Sequence, residues 1–300
     1  ANANMDRVPM LVLTGQGSTS RLHKESHQIM DVVGMFEPVT KWAISIRHPG
    51  TIPEIVRKAV RLSRMEKPGA VHIELPEDIA KENADERAML PRRFFRSQPT
   101  PAVISQAFEL LMRARKPVIL AGNGCIRGRA SEALRHFCEQ TGIGVISTFM
   151  AKGCVDQDAP YCLYTVGLGS KDHSNLALDD ADLVLTLGFD MVEYHPSLWN
   201  AQRDKHIVHA DFLAAEIDQC YHPEIELVGD LTATLTEFSR LLKTRDYPPF
   251  DLSVQQEVRT AMCAELSEYA EDDTAGSIRP QKILWDAREV MGASDVLLSD

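Results

Sequence analysis

The chain has 300 residues, 44% of them hydrophobic and 25% charged, a balance that suits folded globular domains and excludes a disordered chain. Its 32 Lys and Arg stand against 43 Asp and Glu, and the resulting charge of −11 argues against a surface built to neutralise a phosphate backbone, so nucleic acid is not an expected partner. No apolar run approaches the ~20 residues of a membrane-spanning helix, and the first residues lack the charged-then-apolar pattern of a secretion signal, so no membrane is expected either. The six cysteines (Cys125, Cys138, Cys154, Cys162, Cys220 and Cys263) are scattered without a CxxC pair. That spacing predicts reduced thiols in a cytoplasmic protein and no metal site.

Met-Leu-Val-Leu-Thr (10–14) reads as a short buried strand ending at Gly15. Ile52, Ile55, Val56, Ala59, Val60 and Leu62 recur at helical spacing, and Lys-Pro-Gly-Ala (67–70) ends that helix. Val-His-Ile-Glu-Leu (71–75) alternates as a strand, stopped by Pro76. The charged, Pro-containing stretch that follows has weak periodicity, and a linker is placed over 86–100.

A second alternating series begins with a helix over about 101–114, then the buried strand Lys-Pro-Val-Ile-Leu-Ala (116–121) running into Gly122-Asn123-Gly124. A helix at about 129–141, a strand at 144–148, a helix near 173–180 and strands at 182–187 and 206–210 follow. Asp230 is placed to cap a helix over 229–243. Strands alternating with helices imply βαβ units and a parallel sheet covered on both faces, so the fold class is α/β. Residues 246–277, in which Tyr247-Pro248-Pro249 gives way to a Glu- and Asp-rich helical stretch and then to Asp-Asp-Thr-Ala-Gly-Ser (272–277), read as a second linker. A helix at about 280–291 and the strand Asp-Val-Leu-Leu-Ser (295–299) complete the pattern.

A strand with nothing after it and a buried strand within ten residues of the start read as a piece of a longer protein. The expected organisation is the C-terminal part of one domain over 1–85, a whole domain over 101–245 and the start of a third over 278–300.

Several segments carry a family resemblance. Asn-Met-Asp-Arg-Val-Pro-Met-Leu-Val-Leu-Thr-Gly-Gln (4–16), His-Gln-Ile-Met-Asp (27–31), Met-Phe-Glu-Pro-Val-Thr-Lys-Trp (35–42) and Lys-Pro-Gly-Ala-Val-His-Ile-Glu-Leu-Pro-Glu-Asp (67–78) resemble the second half of the pyrimidine-binding domain of thiamine-diphosphate enzymes, above all the acetolactate synthases. Lys-Pro-Val-Ile-Leu-Ala-Gly-Asn-Gly (116–124), Ala-Asp-Leu-Val-Leu-Thr-Leu-Gly (181–188) and Glu-Leu-Val-Gly-Asp (226–230) resemble their central domain, and 279–291 resembles the entry to their diphosphate-binding domain. Each motif is weak by itself; their order along the chain is what identifies the family. The resemblance implies a parallel-sheet, Rossmann-like central domain flanked by partial α/β thiamine-diphosphate-binding domains.

What the family implies chemically is decarboxylation of pyruvate and condensation of the two-carbon unit with a second pyruvate. Thiamine diphosphate acts there as electron sink, held through Mg²⁺. The family's glutamate that activates the cofactor and its Gly-Asp-Gly…Asn metal motif match nothing in these 300 residues, so this chain alone is expected to be inactive. Family active sites lie between subunits, which implies a homodimer or homotetramer; a regulatory subunit is left open.

The resemblance implies that Gln28, at the matching position, faces the thiazolium and substrate, where its amide offers both a donor and an acceptor to a polarised carbonyl; the other reading is a side chain on the exposed side of a loop or helix. His27, where the biosynthetic branch has Phe, either lines the same pocket or packs. Gln16, just past a strand's carboxyl end, is a further cofactor-binding candidate, because ligands gather at such ends. Lys41 is read as a solvated cation. Gly122, Asn123 and Gly124 either cradle the phosphate of a nucleotide such as FAD, with Arg127 and Arg129 supplying charge, or form a tight β–α turn. The dinucleotide fingerprint fails here, because Arg127 stands where it needs its third glycine.

Asp-Met-Val-Glu-Tyr-His-Pro (190–196) with Trp199-Asn200 resembles the catabolic synthases that work without FAD. The absence of an Arg-containing segment after Gly188, and Glu77 in place of a Lys, also speak against bound FAD. Asp190, Glu193 and His195, a polar cluster just past a strand's carboxyl end, are read as a solvated loop, with a metal or subunit-contact site as the alternative, and Trp199 as a residue exposed in the isolated chain. Two other functions are weighed beside the synthase: a non-catalytic module binding a nucleotide or FAD through its glycine turn, and a decarboxylase or ligase of the same family acting on another 2-oxo acid.

Overall fold

The computed structural model describes residues 1–27, 29–92, 95–167, 173–244, 246–270, 278–292 and 294–298, and of Tyr269 only the backbone. The chain divides into two compact units, residues 1–97 and 98–300.

In the first unit, α1 (Asn2–Met5) precedes β1 (Met10–Gln16), α2 (Val32–Phe36), β2 (Ala43–Ser45), α3 (Ile52–Arg64), β3 (Ala70–Pro76) and α4 (Glu77–Ala80). The three strands form a parallel sheet in the order β1-β3-β2. Helix α3 lays Ile52, Ile55, Ala59 and Leu62 against Val71, Ile73 and Leu75 on one face of that sheet. Each apolar side chain fully buried in this way stabilises the unit by about 1.5–3 kcal/mol. The opposite positions of β3, His72 and Glu74, fall on the other face by the two-residue strand period, yet they too are buried. Phe36 of α2 stacks on the His72 ring at 4.2 Å. The alternation of 71–75 therefore records two differently lined buried faces and not a wet side.

In the second unit, α5 (Pro101–Arg113), β4 (Pro117–Ala121), α6 (Asn123–Arg127), α7 (Ser131–Thr141), β5 (Val145–Ser147), β6 (Cys162–Thr165), α8 (His173–Asp180), β7 (Leu183–Leu187), β8 (His206–Asp211), β9 (Ile225–Val228), α9 (Leu231–Leu242), α10 (Ser253–Ala270) and α11 (Pro280–Val290) follow one another. Six parallel strands form one sheet in the order β6-β5-β4-β7-β8-β9. Phe108, Leu111, Leu134, Phe137, Leu235 and Phe238 from α5, α7 and α9 cover one face. Leu178 of α8, Val258 of α10 and the aromatic residues Phe189, Tyr194, Trp199 and Tyr221 cover the other. This is the α/β, Rossmann-like architecture expected, and Asp230 caps α9 by accepting from the Ala233 amide at 2.9 Å.

Three details depart from the sequence reading. Helix α10 fits the helical stretch read within 246–277 but is packed on the sheet and not a mere linker, held by its buried Gln255: the side-chain oxygen accepts from the Gly144 amide at 2.8 Å, and Nε2 donates to the Pro117 carbonyl at 2.7 Å. Residues 295–298 are not a strand, since no neighbour offers them a ladder of hydrogen bonds. Trp199 is 2% exposed, packed edge-on against Phe189 and Tyr221. Among the described residues no helix is long and apolar enough to cross a membrane.

Replacing Gln255 with Ala leaves a buried amide and a buried carbonyl without partners, each worth about 1–3 kcal/mol. Urea unfolding of the Gln255→Ala chain is expected to show a loss of about 2–4 kcal/mol; a loss below about 0.5 kcal/mol would mean that water replaces both bonds.

Candidate functional site

The carboxyl ends of β1 and β3 carry a row of polar groups, Gln16, His72 and Glu74 buried and Thr14 half-buried. The parallel register sets Thr14 beside Glu74 and Gln16 beside Pro76, so that Thr14, Gln16, His72 and Glu74 share a face. Thr14 Oγ1 lies 2.8 Å from His72 Nε2. Gln16 Nε2 donates both to Glu74 Oε2 at 3.0 Å and to the Met30 carbonyl at 2.8 Å, while its oxygen accepts from the Gly17 amide at 2.9 Å. All of the Gln16 amide is thereby engaged in joining the strand ends to the segment that leaves β1 and returns at Met30.

The same segment is tied down at a second point. The Thr19 amide donates to Asp78 Oδ1 at 3.0 Å and its hydroxyl to Oδ2 of the same carboxylate. These bonds hold the Asp78 carboxyl well below its usual range, at about 2. Arg21 pairs with Glu77 at 2.9 Å, and Lys81 pairs with it at 2.6 Å. Glu77, the departure noted in the sequence, is therefore the anchor of a two-cation cluster at the start of α4.

His27 is exposed on this segment, and Gln28 lies outside the described residues. Lys41 does not face the row: its ammonium donates to the carbonyls of Met65 at 2.6 Å and Lys67 at 2.7 Å, bracing the turn after α3. Partial burial lowers its pKa, against the opposing pull of Glu66. His72 escaped the sequence reading, although its place in the middle of a buried strand was a signal. Its Nδ1 is buried without a hydrogen-bond partner, and burial pushes its pKa down, with Glu74 pulling the other way.

The second candidate lies in the other unit, where the strand order reverses between β4 and β7. Gly122 and Gly124 press against Gly188: a Cβ on either would come within 2.5 Å of the Gly188 backbone. The Asn123 amide donates to the Glu193 carboxylate at 3.1 and 3.2 Å, and the Thr148 hydroxyl donates to the same carboxylate. Burial raises the Glu193 pKa, while the Thr148 and Asn123 bonds and Arg127 restrain it. Glu193 and the buried Asp190 thus turn inward, contrary to the solvated loop expected. His195 does stay at the surface, where Nδ1 lies 2.9 Å from Ser197 Oγ. Among the described residues no three His, Cys, Asp or Glu gather as a metal site.

Residues 104–238 match the family model described as thiamine pyrophosphate enzyme, central domain. The chain is 31% identical to an acetolactate synthase of Bacillus subtilis over 237 residues, covering 78% of this chain and 41% of that protein. It is 32% identical to a glyoxylate carboligase of Escherichia coli O157:H7 over 239 residues, 78% of this chain and 40% of that one. A probable acetolactate synthase large subunit of Methanocaldococcus jannaschii is 30% identical across 100% of this chain and 52% of its own length. The chain spans about half the length, or less, of these relatives.

His72 sets a pH dependence. A histidine whose folded pKa is depressed binds its proton more readily when unfolded, so stability is full above the ordinary histidine range and falls as pH drops through it. Hydrogen exchange of peptides from β1 and β3, corrected for intrinsic rates, is expected to accelerate between pH 7 and pH 5.5, and the acceleration to vanish in His72→Asn. An equal acceleration in the variant would place its origin elsewhere.

Proposed function

We propose that this acetolactate-synthase-like chain is part of a thiamine-diphosphate-dependent transferase that decarboxylates one pyruvate and joins the two-carbon unit to a second. The observation that carries the reading is similarity to an acetolactate synthase large subunit along the whole chain, in a single order of segments. The row at the carboxyl ends of β1 and β3 supports it, because parallel sheets present ligand-binding loops at those ends.

The ligands for Mg²⁺ and for the cofactor's diphosphate are to be sought outside the described residues, which offer no metal cluster. The cofactor supplies the electron sink, and this chain's residues orient. Gln28 and, beside it, His27 are the groups assigned to the reacting end. Gln16 is a positioning residue that holds the segment bearing both through the Met30 carbonyl. The protein would work as a homodimer or homotetramer in the cytoplasm, a compartment that suits its free thiols.

The glyoxylate carboligase is as similar as the synthases are. The shared scaffold therefore does not choose the substrate, and the assay must.

The full-length protein, supplied with thiamine diphosphate and Mg²⁺, is expected to form acetolactate from pyruvate in preference to condensing glyoxylate; the reverse preference would make it a carboligase. Gln28→Ala should lower kcat by about 100-fold, the range found when one donor to a developing charge is lost. Gln16→Ala should lower kcat by about 10-fold through misplacement of the segment, with KM for pyruvate nearly unchanged. A Gln28→Ala enzyme of full kcat would remove that residue from the reaction.

A further inference from the structure

The central unit places its glycine turn where an open α/β sheet ordinarily takes a ligand, outside the carboxyl ends of the strands at the reversal of strand order. Whether a phosphate is accepted there depends on free backbone N–H groups and on space for the ligand to approach.

Neither condition is met. The Gly122 amide donates to the Leu187 carbonyl at 2.9 Å, the Gly124 amide to the Gly188 carbonyl at 2.8 Å, and the Cys125 amide to the Gly122 carbonyl at 2.9 Å. The remaining donor, the Asn123 amide, is taken by Glu193. Each donor of the turn is thus committed within the protein. The glycines are filled from the other side as well: a Cβ on Gly122 would lie 2.5 Å from the Gly188 oxygen, and one on Gly188, whose φ is +60°, would lie 2.5 Å from the Cys125 nitrogen. The two turns meet backbone to backbone.

We propose that Glu193 is a built-in anion that closes this crevice, making the central unit a sealed scaffold that takes neither FAD nor another dinucleotide. A dinucleotide phosphate would have to break the Asn123 bond, expel the Glu193 carboxylate and settle beside the buried Asp190, while the backbone amides of 122, 124 and 125 stay committed within the protein. Through Thr148 at the end of β5, the same carboxylate also fastens the β7 loop to the other half of the sheet.

The inference is independent of which 2-oxo acid the protein uses, and it is tested without an activity assay. The full-length protein is purified, examined for flavin absorbance in the visible, and titrated with FAD while flavin fluorescence is followed. Hydrogen exchange of peptides covering 121–128 is measured in the wild type, in Glu193→Ala and in Glu193→Gln. No flavin at one per chain and no saturable quenching are expected, together with exchange at least 10-fold faster in Glu193→Ala and near wild type in Glu193→Gln, which keeps an acceptor oxygen. Stoichiometric flavin would overturn the proposal. So would unchanged exchange in Glu193→Ala, since the carboxylate would then not be holding the turn. Should the Ala variant fail to fold, the flavin titration and the Glu193→Gln exchange still decide the matter, faster exchange in that variant counting against the acceptor role.

Discussion

The six-stranded sheet depends on one contact at its middle, where the turn after β4 lies against the turn after β7. Those two strands join the halves β6-β5-β4 and β7-β8-β9, and their ladder runs in register from Pro117 with Leu183 to Ala121 with Leu187. Beyond Ala121 the pairing continues as turn-to-turn hydrogen bonds between Gly122 and Leu187 and between Gly124 and Gly188. A side chain at any of these glycines would force the turns apart at the end of that ladder. Buried parallel strands have no solvent to satisfy a broken pair, so an opening here would expose the backbone of both halves at once.

The first unit solves a different problem. Its sheet has an apolar face under α3 and a polar face bearing Thr14, Gln16, His72 and Glu74. Burying such groups is unfavourable unless their hydrogen bonds are made inside. Most are: Gln16 satisfies Glu74, Met30 and Gly17 together. The exception, His72 Nδ1, is covered by the Phe36 ring stacked upon it. An apolar row would build a more stable sheet of the same shape. The polar row instead holds Gly17 and Met30 at the carboxyl end, beside the place at which the proposed reaction needs its side chains.

Long-period features were readable from the chain and short or distant ones were not. The strands at 116–121 and 182–187 were plain because they are unbroken apolar runs, and the cap at Asp230 because it acts on a residue three positions away. The strands Ala43–Ser45, Cys162–Thr165 and Ile225–Val228 are too short to show a period. Helix α10 was legible as a helical stretch but not as part of the packed unit; what fixes it is Gln255, whose partners Pro117 and Gly144 lie more than a hundred residues earlier. Trp199 was expected at the surface because the resemblance implies a subunit interface; it is instead covered by Phe189 of its own loop and by Tyr221 of the loop between β8 and β9.

The glycine turn shows where this kind of reading stops. A Gly-x-Gly after a strand has two physical uses: it lets a phosphate approach the backbone, or it lets another backbone do so. Both demand the same residues in the same place, and the turn's own sequence does not separate them. Only the destination of its N–H groups does. Here that destination is set by Gly188 and by Glu193, the latter 70 residues beyond Asn123. Arg127 in the slot of a third glycine hinted at the answer, but a broken fingerprint says only that one use is weakened. The carboxylate lodged against the Asn123 amide shows which use was adopted: the anion that such a turn invites is supplied by the chain itself.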